Sequence, residues 1–151
     1  MITHRIQREQ TVRRPLDEVF AFFAQARNLE RLTPPWLTFA VITPDPIPMR
    51  VGTLIDYKLR LHGVPFSWTT RIEEWQPGAG FVDRQIAGPY GLWHHRHTFR
   101  AAGRDATVLA DTVDYALPLG RWGDLAHRLF VRRDVERIFA YRHEAAARLL
   151  A

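Results

Sequence analysis

Apolar and polar residues alternate most regularly between Gly52 and Trp75. Ile55, Tyr57, Leu59 and Leu61 alternate with Asp56, Lys58, Arg60 and His62. Beyond Gly63, Phe66, Trp68, Thr70 and Ile72 alternate with Ser67, Thr69, Arg71 and Glu73. A period of two puts successive side chains on opposite faces of a strand, so both stretches are predicted strands with one apolar face. Gln76–Gly80 is turn-like, Phe81–Ile86 reads as a short strand, and Gly88-Pro89 breaks the chain again. Upstream, Trp36–Thr43 also reads as a strand, with Leu37, Phe39 and Val41 on one face. Pro44, Pro46 and Pro48 end it in an irregular loop. Residues 3–13 alternate too, but are so polar that an edge strand is expected.

The period changes twice. Pro15 opens a predicted helix, with Asp17 and Glu18 in the first turn and Val19, Phe20, Phe22 and Phe23 at helical spacing. Leu29–Thr33 reads as a second short helix stopped by Pro34-Pro35. From Arg121 to Ala151 there is no proline, and Gly123 is the one glycine. Trp122, Leu125, Leu129, Phe130, Ile138, Phe139, Tyr141, Ala145, Leu149 and Leu150 recur at helical intervals there. One amphipathic helix of about 25–30 residues, roughly 40 Å long, is expected, with Trp122, Leu129 and Phe130 facing the sheet. The order is one strand, two short helices, six strands and one long helix. That order predicts an α+β fold: an antiparallel meander covered by the final helix, with a space between the two.

Length and composition narrow the picture. The 151 residues suit a single domain, 1–151, with an ordinary 46% hydrophobic and 25% charged content. No cysteine is present, so disulfides, thiolate metal sites and a Cys nucleophile are excluded. No leader-like apolar run follows the N-terminus and no run approaches the ~20 residues of a membrane span. A cytoplasmic protein without integral membrane association is expected. The net charge is +5, almost all of it from arginine, since Lys58 is the only lysine. The arginines are spread along the chain. The row Arg128, Arg132 and Arg133 is of a type that meets a membrane surface or an acidic partner, and is read here as a solvated face.

The candidate chemistry lies in Gly88–Phe99, which holds three histidines and three aromatic residues, and in the run that follows it. On a strand, Trp93, His95, His97 and Phe99 share one face. With a turn centred near Gly103, antiparallel pairing sets His95 opposite Asp111 and Trp93 opposite Val113, roughly 4.5–5.5 Å apart at Cβ. A face of aromatics, two imidazoles and one carboxylate is what a mostly apolar pocket wall with a few placed polar groups requires.

The element order and the residues resemble the START/Bet v 1-like (SRPBCC) superfamily over nearly the whole chain. The motifs are Pro15-Leu-Asp-Glu-Val-Phe-Ala-Phe-Phe23, Asn28-Leu-Glu-Arg-Leu-Thr-Pro34, Gly88-Pro-Tyr90, Trp93-x-His95-x-His97-x-Phe99, Asp111-x-Val-x-Tyr115 with Pro118-x-Gly120, and Ile138-Phe-x-Tyr-Arg142. More narrowly the chain is similar to the bacterial polyketide cyclase/dehydrase and lipid-transport-like group. The resemblance implies a helix-grip fold, with a curved antiparallel sheet around the long C-terminal helix and a deep cavity for an apolar or amphipathic molecule. It does not imply a reaction, because the superfamily hosts carriers and enzymes alike.

The expected ligand is therefore a hydrophobic or amphipathic small molecule of lipid, polyketide, isoprenoid or quinone-like type. Expected lining residues are Tyr57, Trp68, Trp93, His95, His97, Phe99, Tyr115 and Phe130. His95 with Asp111 is the candidate acid–base couple should the protein be a cyclase- or dehydratase-type enzyme. His95, His97 and Asp111 are also zinc or iron ligand types. They are read as a hydrogen-bonded polar pocket, so neither metal nor cofactor is expected. Nucleic acid is not expected as a partner, because the aromatics share faces with aliphatics that need the helix as cover. A protein partner is a further option, and the chain is expected as monomer or homodimer.

Overall fold

The computed structural model describes residues 2–151; Met1, the first residue of the stretch read for a leader, lies outside them. Seven strands form one antiparallel sheet: β1 (His4–Val12), β2 (Ala40–Val41), β3 (Leu54–Leu61), β4 (Val64–Gln76), β5 (Gly80–Ala87), β6 (Leu92–Ala101) and β7 (Thr107–Ala116). Their order across the sheet is β1-β7-β6-β5-β4-β3-β2, so β1 is an edge strand, as its polarity predicts. After β1 come α1 (Leu16–Phe23) and α2 (Leu29–Leu32). The chain ends in α3 (Arg121–Ala126) and α4 (Arg132–Leu149), joined through a π-helical turn at His127–Val131 into one continuous helix of 29 residues. This is the helix-grip α+β architecture. No helix among the described residues is long and apolar enough to cross a membrane.

Three expectations need correction. Trp36–Thr43 is not a strand. Pro35 starts a 3-10 turn over Pro35–Leu37, Thr38 follows in the left-handed region at φ 47°, and pairing is confined to Ala40–Val41. Proline sets φ for a turn and donates no ladder hydrogen bond, which explains the outcome. The alternation nonetheless survives, because Leu37 and Val41 are buried.

The register of the β6–β7 hairpin differs from the expected one by two residues. His97 lies opposite Asp111, His95 opposite Val113 and Trp93 opposite Tyr115. The connection is centred on Arg104 rather than Gly103, and Ala102 N–H closes it on the Ala106 carbonyl at 2.8 Å. A shift of two keeps every side chain on its face.

The third correction concerns the start of the long helix. Trp122, Leu129 and Phe130 do not face the sheet; all three are exposed. Gly123 sets the phase. A Cβ there would stand 2.0 Å from the Pro118 carbonyl oxygen, so only glycine allows this approach to the end of β7. With Gly123 inward, buried His127, Val135 and Phe139 follow on the same side.

Two buried centres flank the space under the sheet. At one end, Phe20 of α1 packs against Phe99 with ring centroids 5.2 Å apart, together with Val12, Val19, Phe81, Leu109 and Leu150. At the other, Val41, Ile55, Tyr57 and Ile72 pack under Phe39 and Trp68.

Gly123→Ala discriminates between propensity and packing. Propensity alone favours alanine in a helix by ~1 kcal/mol. The contact with Pro118 reverses the sign, and overpacking should cost ~1–3 kcal/mol. Thermal denaturation followed by circular dichroism should show a lower Tm; an unchanged or higher Tm would contradict this packing.

Candidate functional site

Strand β6 brings His95 and His97 to the inner face of the sheet, both about 5% exposed. Each is met by a carboxylate from a neighbouring strand. His95 Nε2 lies 2.7 Å from Asp111 Oδ1 on β7, and His97 Nε2 lies 2.5 Å from Asp83 Oδ2 on β5. The His95–Asp111 contact thus runs diagonally across the ladder, and the couple anticipated from sequence forms although the register does not match. Arg142, from α4, closes the group from the helix side. Its guanidinium is 3.5 Å from His97 Nδ1 and 3.9 Å from an Asp111 oxygen, and stands 5.5 Å from the Phe23 ring.

The rings are stacked. Phe81 lies on His97 at 4.1 Å between centroids, and His97 lies on His95 at 3.6 Å. Phe139 meets His95 edge-on at 5.6 Å. Gly80 makes room for this on the strand side, since a Cβ there would stand 2.4 Å from the His97 carbonyl oxygen.

The protonation pattern follows from the surroundings. Burial pushes both carboxyls up, but it is outweighed. At Asp83 the hydrogen bond from His97 and the charges nearby win; at Asp111 Arg142 wins, followed by His95. Both are held below the usual carboxylate range and are acceptors only. Burial first, and then the neighbouring His95, push the His97 pKa down to about 4, so His97 is neutral at physiological pH. Neutral His97 donates Nε2–H to Asp83 and offers its Nδ1 lone pair to Arg142. His95 donates Nε2–H to Asp111. Its Nδ1 is 4.0 Å from the nearest Asp83 oxygen, beyond hydrogen-bond distance.

Beside this cluster lies a half-enclosed cavity of about 160 Å³. Five expected lining residues border it: Tyr57, Trp68, Trp93, His95 and His97. Three do not. Phe99 is turned into the core beside Phe20 and Phe23. Tyr115 shares a 2.8 Å hydrogen bond with His127 under the helix. Phe130 is on the outside of the molecule. The wall also includes residues that were not expected to line it, among them Asp83, Tyr90, Phe139, Arg142 and Thr70. The Thr70 hydroxyl is buried with no hydrogen-bond partner among the described residues. Burial, then Asp83, hold the Tyr57 phenol far above its ordinary pKa, so it stays protonated. Exposed contacts flank the cavity. His62 at the β3–β4 turn meets Asp134 of α4 at 2.7 Å, and Trp36 packs on Arg137 and Tyr141.

Asp83, His95 and His97 offer three ligand atoms within 4.8 Å of one another, the set an ion would use. Each imidazole, however, already has a carboxylate within 2.7 Å, and Arg142 sets a permanent cation alongside. The geometry favours a hydrogen-bonded polar centre.

A family model described as polyketide cyclase/dehydrase and lipid transport matches residues 12–140. The chain belongs to this family. No curated protein sequence matches it significantly. Solved structures share the fold of this family member. The Zhui aromatase/cyclase of Streptomyces sp. R1128 is 17% identical, with 99% of this chain and 98% of that one covered at a TM-score of 0.69. A START superfamily protein of Mycobacterium smegmatis is 12% identical, with 98% and 99% covered at 0.69. A norcoclaurine synthase point mutant of Thalictrum flavum is 16% identical, with 99% and 94% covered at 0.69. The family member described here accordingly has a polyketide cyclase-like domain that shares its fold with the START superfamily protein.

The depressed His97 pKa has a measurable consequence. In the unfolded chain His97 titrates near its ordinary 6.5, in the fold near 4. Its contribution is fully present above the unfolded value and is lost as pH falls toward the folded one, at up to ~1.4 kcal/mol per pH unit and ~3 kcal/mol in all. Asp83 and Asp111 act in the same direction at lower pH. Denaturant unfolding across this window should show wild-type stability falling more steeply than that of His97→Asn. Parallel profiles would mean that His97 is not held neutral.

Proposed function

We propose that this domain binds an amphipathic small molecule, with its apolar body in the cavity and an oxygen-bearing end at His95 and Arg142. The observation that carries this reading is a wall mostly of aliphatic and aromatic side chains in which Asp83, His95, His97 and Arg142 form one polar patch. Removing ligand surface from water contributes ~25 cal/mol per Å². His95 Nδ1 and Arg142 then select the polar end, and Tyr57 and Thr70 offer hydroxyls further along the wall. A buried hydroxyl without a partner costs ~1–3 kcal/mol, so a ligand oxygen at Thr70 would recover that loss. A lipid, polyketide, isoprenoid or quinone-like molecule has this character, and the family's description names polyketides and lipids. A cytoplasmic location and a monomeric or dimeric state fit this reading equally.

A second reading rests on the His95–Asp111 couple. Asp111, held ionised, accepts from Nε2 and fixes the imidazole so that Nδ1 faces the ligand. That arrangement suits proton removal from an acidic C–H or O–H of a bound carbonyl compound, as a cyclase or dehydratase requires. Arg142 lies close enough to stabilise negative charge.

2-Naphthol, an apolar bicycle with one hydroxyl, is a suitable probe through its quenching of tryptophan fluorescence. His95→Ala should weaken its binding roughly 5- to 100-fold, the equivalent of one lost polar contact. Thr70→Val should leave Tm unchanged or raised. Equal affinities for 2-naphthol and naphthalene in wild type would contradict the proposed polar end.

The two readings separate on the natural ligand, extracted from purified protein and identified by mass spectrometry. An acid–base enzyme converts it beyond one equivalent and loses ~10²–10⁴-fold in rate with His95→Ala. A binding protein returns it unchanged.

A further inference from the structure

The start of the long helix carries an apolar surface that the fold does not cover. Leu119 is 79% exposed, Trp122 76%, Leu125 44%, Leu129 61% and Phe130 60%. They lie within twelve consecutive residues, and each is large. The inward phase set by Gly123 leaves them outside. In the π turn His127 is turned inward, while Leu129 and Phe130, neighbours in sequence, both point away from the sheet. Single exposed apolar residues are ordinary, but a cluster on one element marks an interaction surface.

Charge identifies the occupant. Arg121, Arg128, Arg132 and Arg133 are exposed along the same segment. Its acidic residues offset part of this. Asp124 is half-buried, Asp134 is engaged by His62 at 2.7 Å, and Glu136 pairs with Arg132 at 3.4 Å, so Arg121, Arg128 and Arg133 carry most of the charge. A second copy of the chain docked through this patch would bring like-charged arginine clusters together. An anionic bilayer neutralises them instead. Leucine, phenylalanine and tryptophan with interspersed arginine is the composition of a helix lying in a lipid interface, apolar side chains among the acyl chains and guanidinium groups at the headgroups.

We infer that residues 119–133 form a docking surface for an anionic lipid membrane. Attachment is peripheral and does not depend on what occupies the cavity. Arginine supplies the attraction at a distance, which salt screens, and Trp122, Leu129 and Phe130 supply insertion.

The test uses the full chain and vesicles of phosphatidylcholine with or without phosphatidylglycerol, read by co-sedimentation. Wild type should partition onto the anionic vesicles at least ~10-fold more strongly than onto neutral ones, and lose that preference in high salt. Trp122→Ser with Phe130→Ser should reduce anionic partitioning ~10-fold or more while leaving Tm unchanged, because both side chains are exposed. Brominated acyl chains should quench part of the tryptophan emission in wild type and spare it in Trp122→Phe. Absence of partitioning at low salt would overturn the proposal. So would equal partitioning by wild type and the double variant. A dimer in sedimentation that the double variant abolishes would assign the patch to a second copy instead.

Discussion

Two carboxylates and a guanidinium are largely withdrawn from water under one sheet, and the arrangement is affordable only because each charge faces a partner. Burying an isolated carboxylate costs several kcal/mol, and removing one member of a buried set strands the others. Asp83 and Asp111 come from the strands on either side of β6, and His95 and His97 from β6 itself. Arg142 comes from the helix on the opposite wall. This set ties strand to strand and sheet to helix at the point where the core gives way to open space. Its geometry depends on the stacked order Phe81, His97, His95, which holds each imidazole edge toward its carboxylate. Anything that shifts β5 against β6, such as a side chain at Gly80, would disturb the polar centre before it disturbed the aliphatic packing.

Much of this was legible in the sequence where a period was clear. The alternation in β3 and β4, the histidine face of β6 and the length of the final helix all follow from spacing, because burying one face is what imposes the period. The couple between His95 and Asp111 was legible as a shared face but not as a register. A five-residue connection is centred one position away from its glycine, and nothing local distinguishes the two. Asp83 escaped notice because β5 is buried at successive positions from Gly80 to Val82, so its alternation is weak. Arg142 lay in a quoted motif, yet its role needs the helix laid against the sheet. Thr70 read as one more alternating residue; its missing partner is a property of the packed structure alone.

The helix start shows the limit most plainly. A helical wheel assumes one constant rotation per residue and one neighbour to face. Here a backbone contact at Gly123 sets the phase, and a π turn interrupts the rotation four residues later. Amphipathic spacing alone cannot say which apolar residues belong to the core and which to a second interface. The two roles share one helix, with Trp122 and Phe130 outside at one end and Phe139 and Arg142 inside further along.

The contacts beside the cavity differ in kind from those at its floor. His62 with Asp134, and Trp36 with Arg137, join exposed side chains, and such pairs are individually worth about 1 kcal/mol or less. The floor is a buried, mutually dependent set of charges. Losing one surface pair leaves its members in water, whereas losing one member of the floor set leaves charged neighbours without counterparts. The surface pairs can therefore drift through substitution while the polar end of the cavity, and with it the preference for one ligand over another, stays intact.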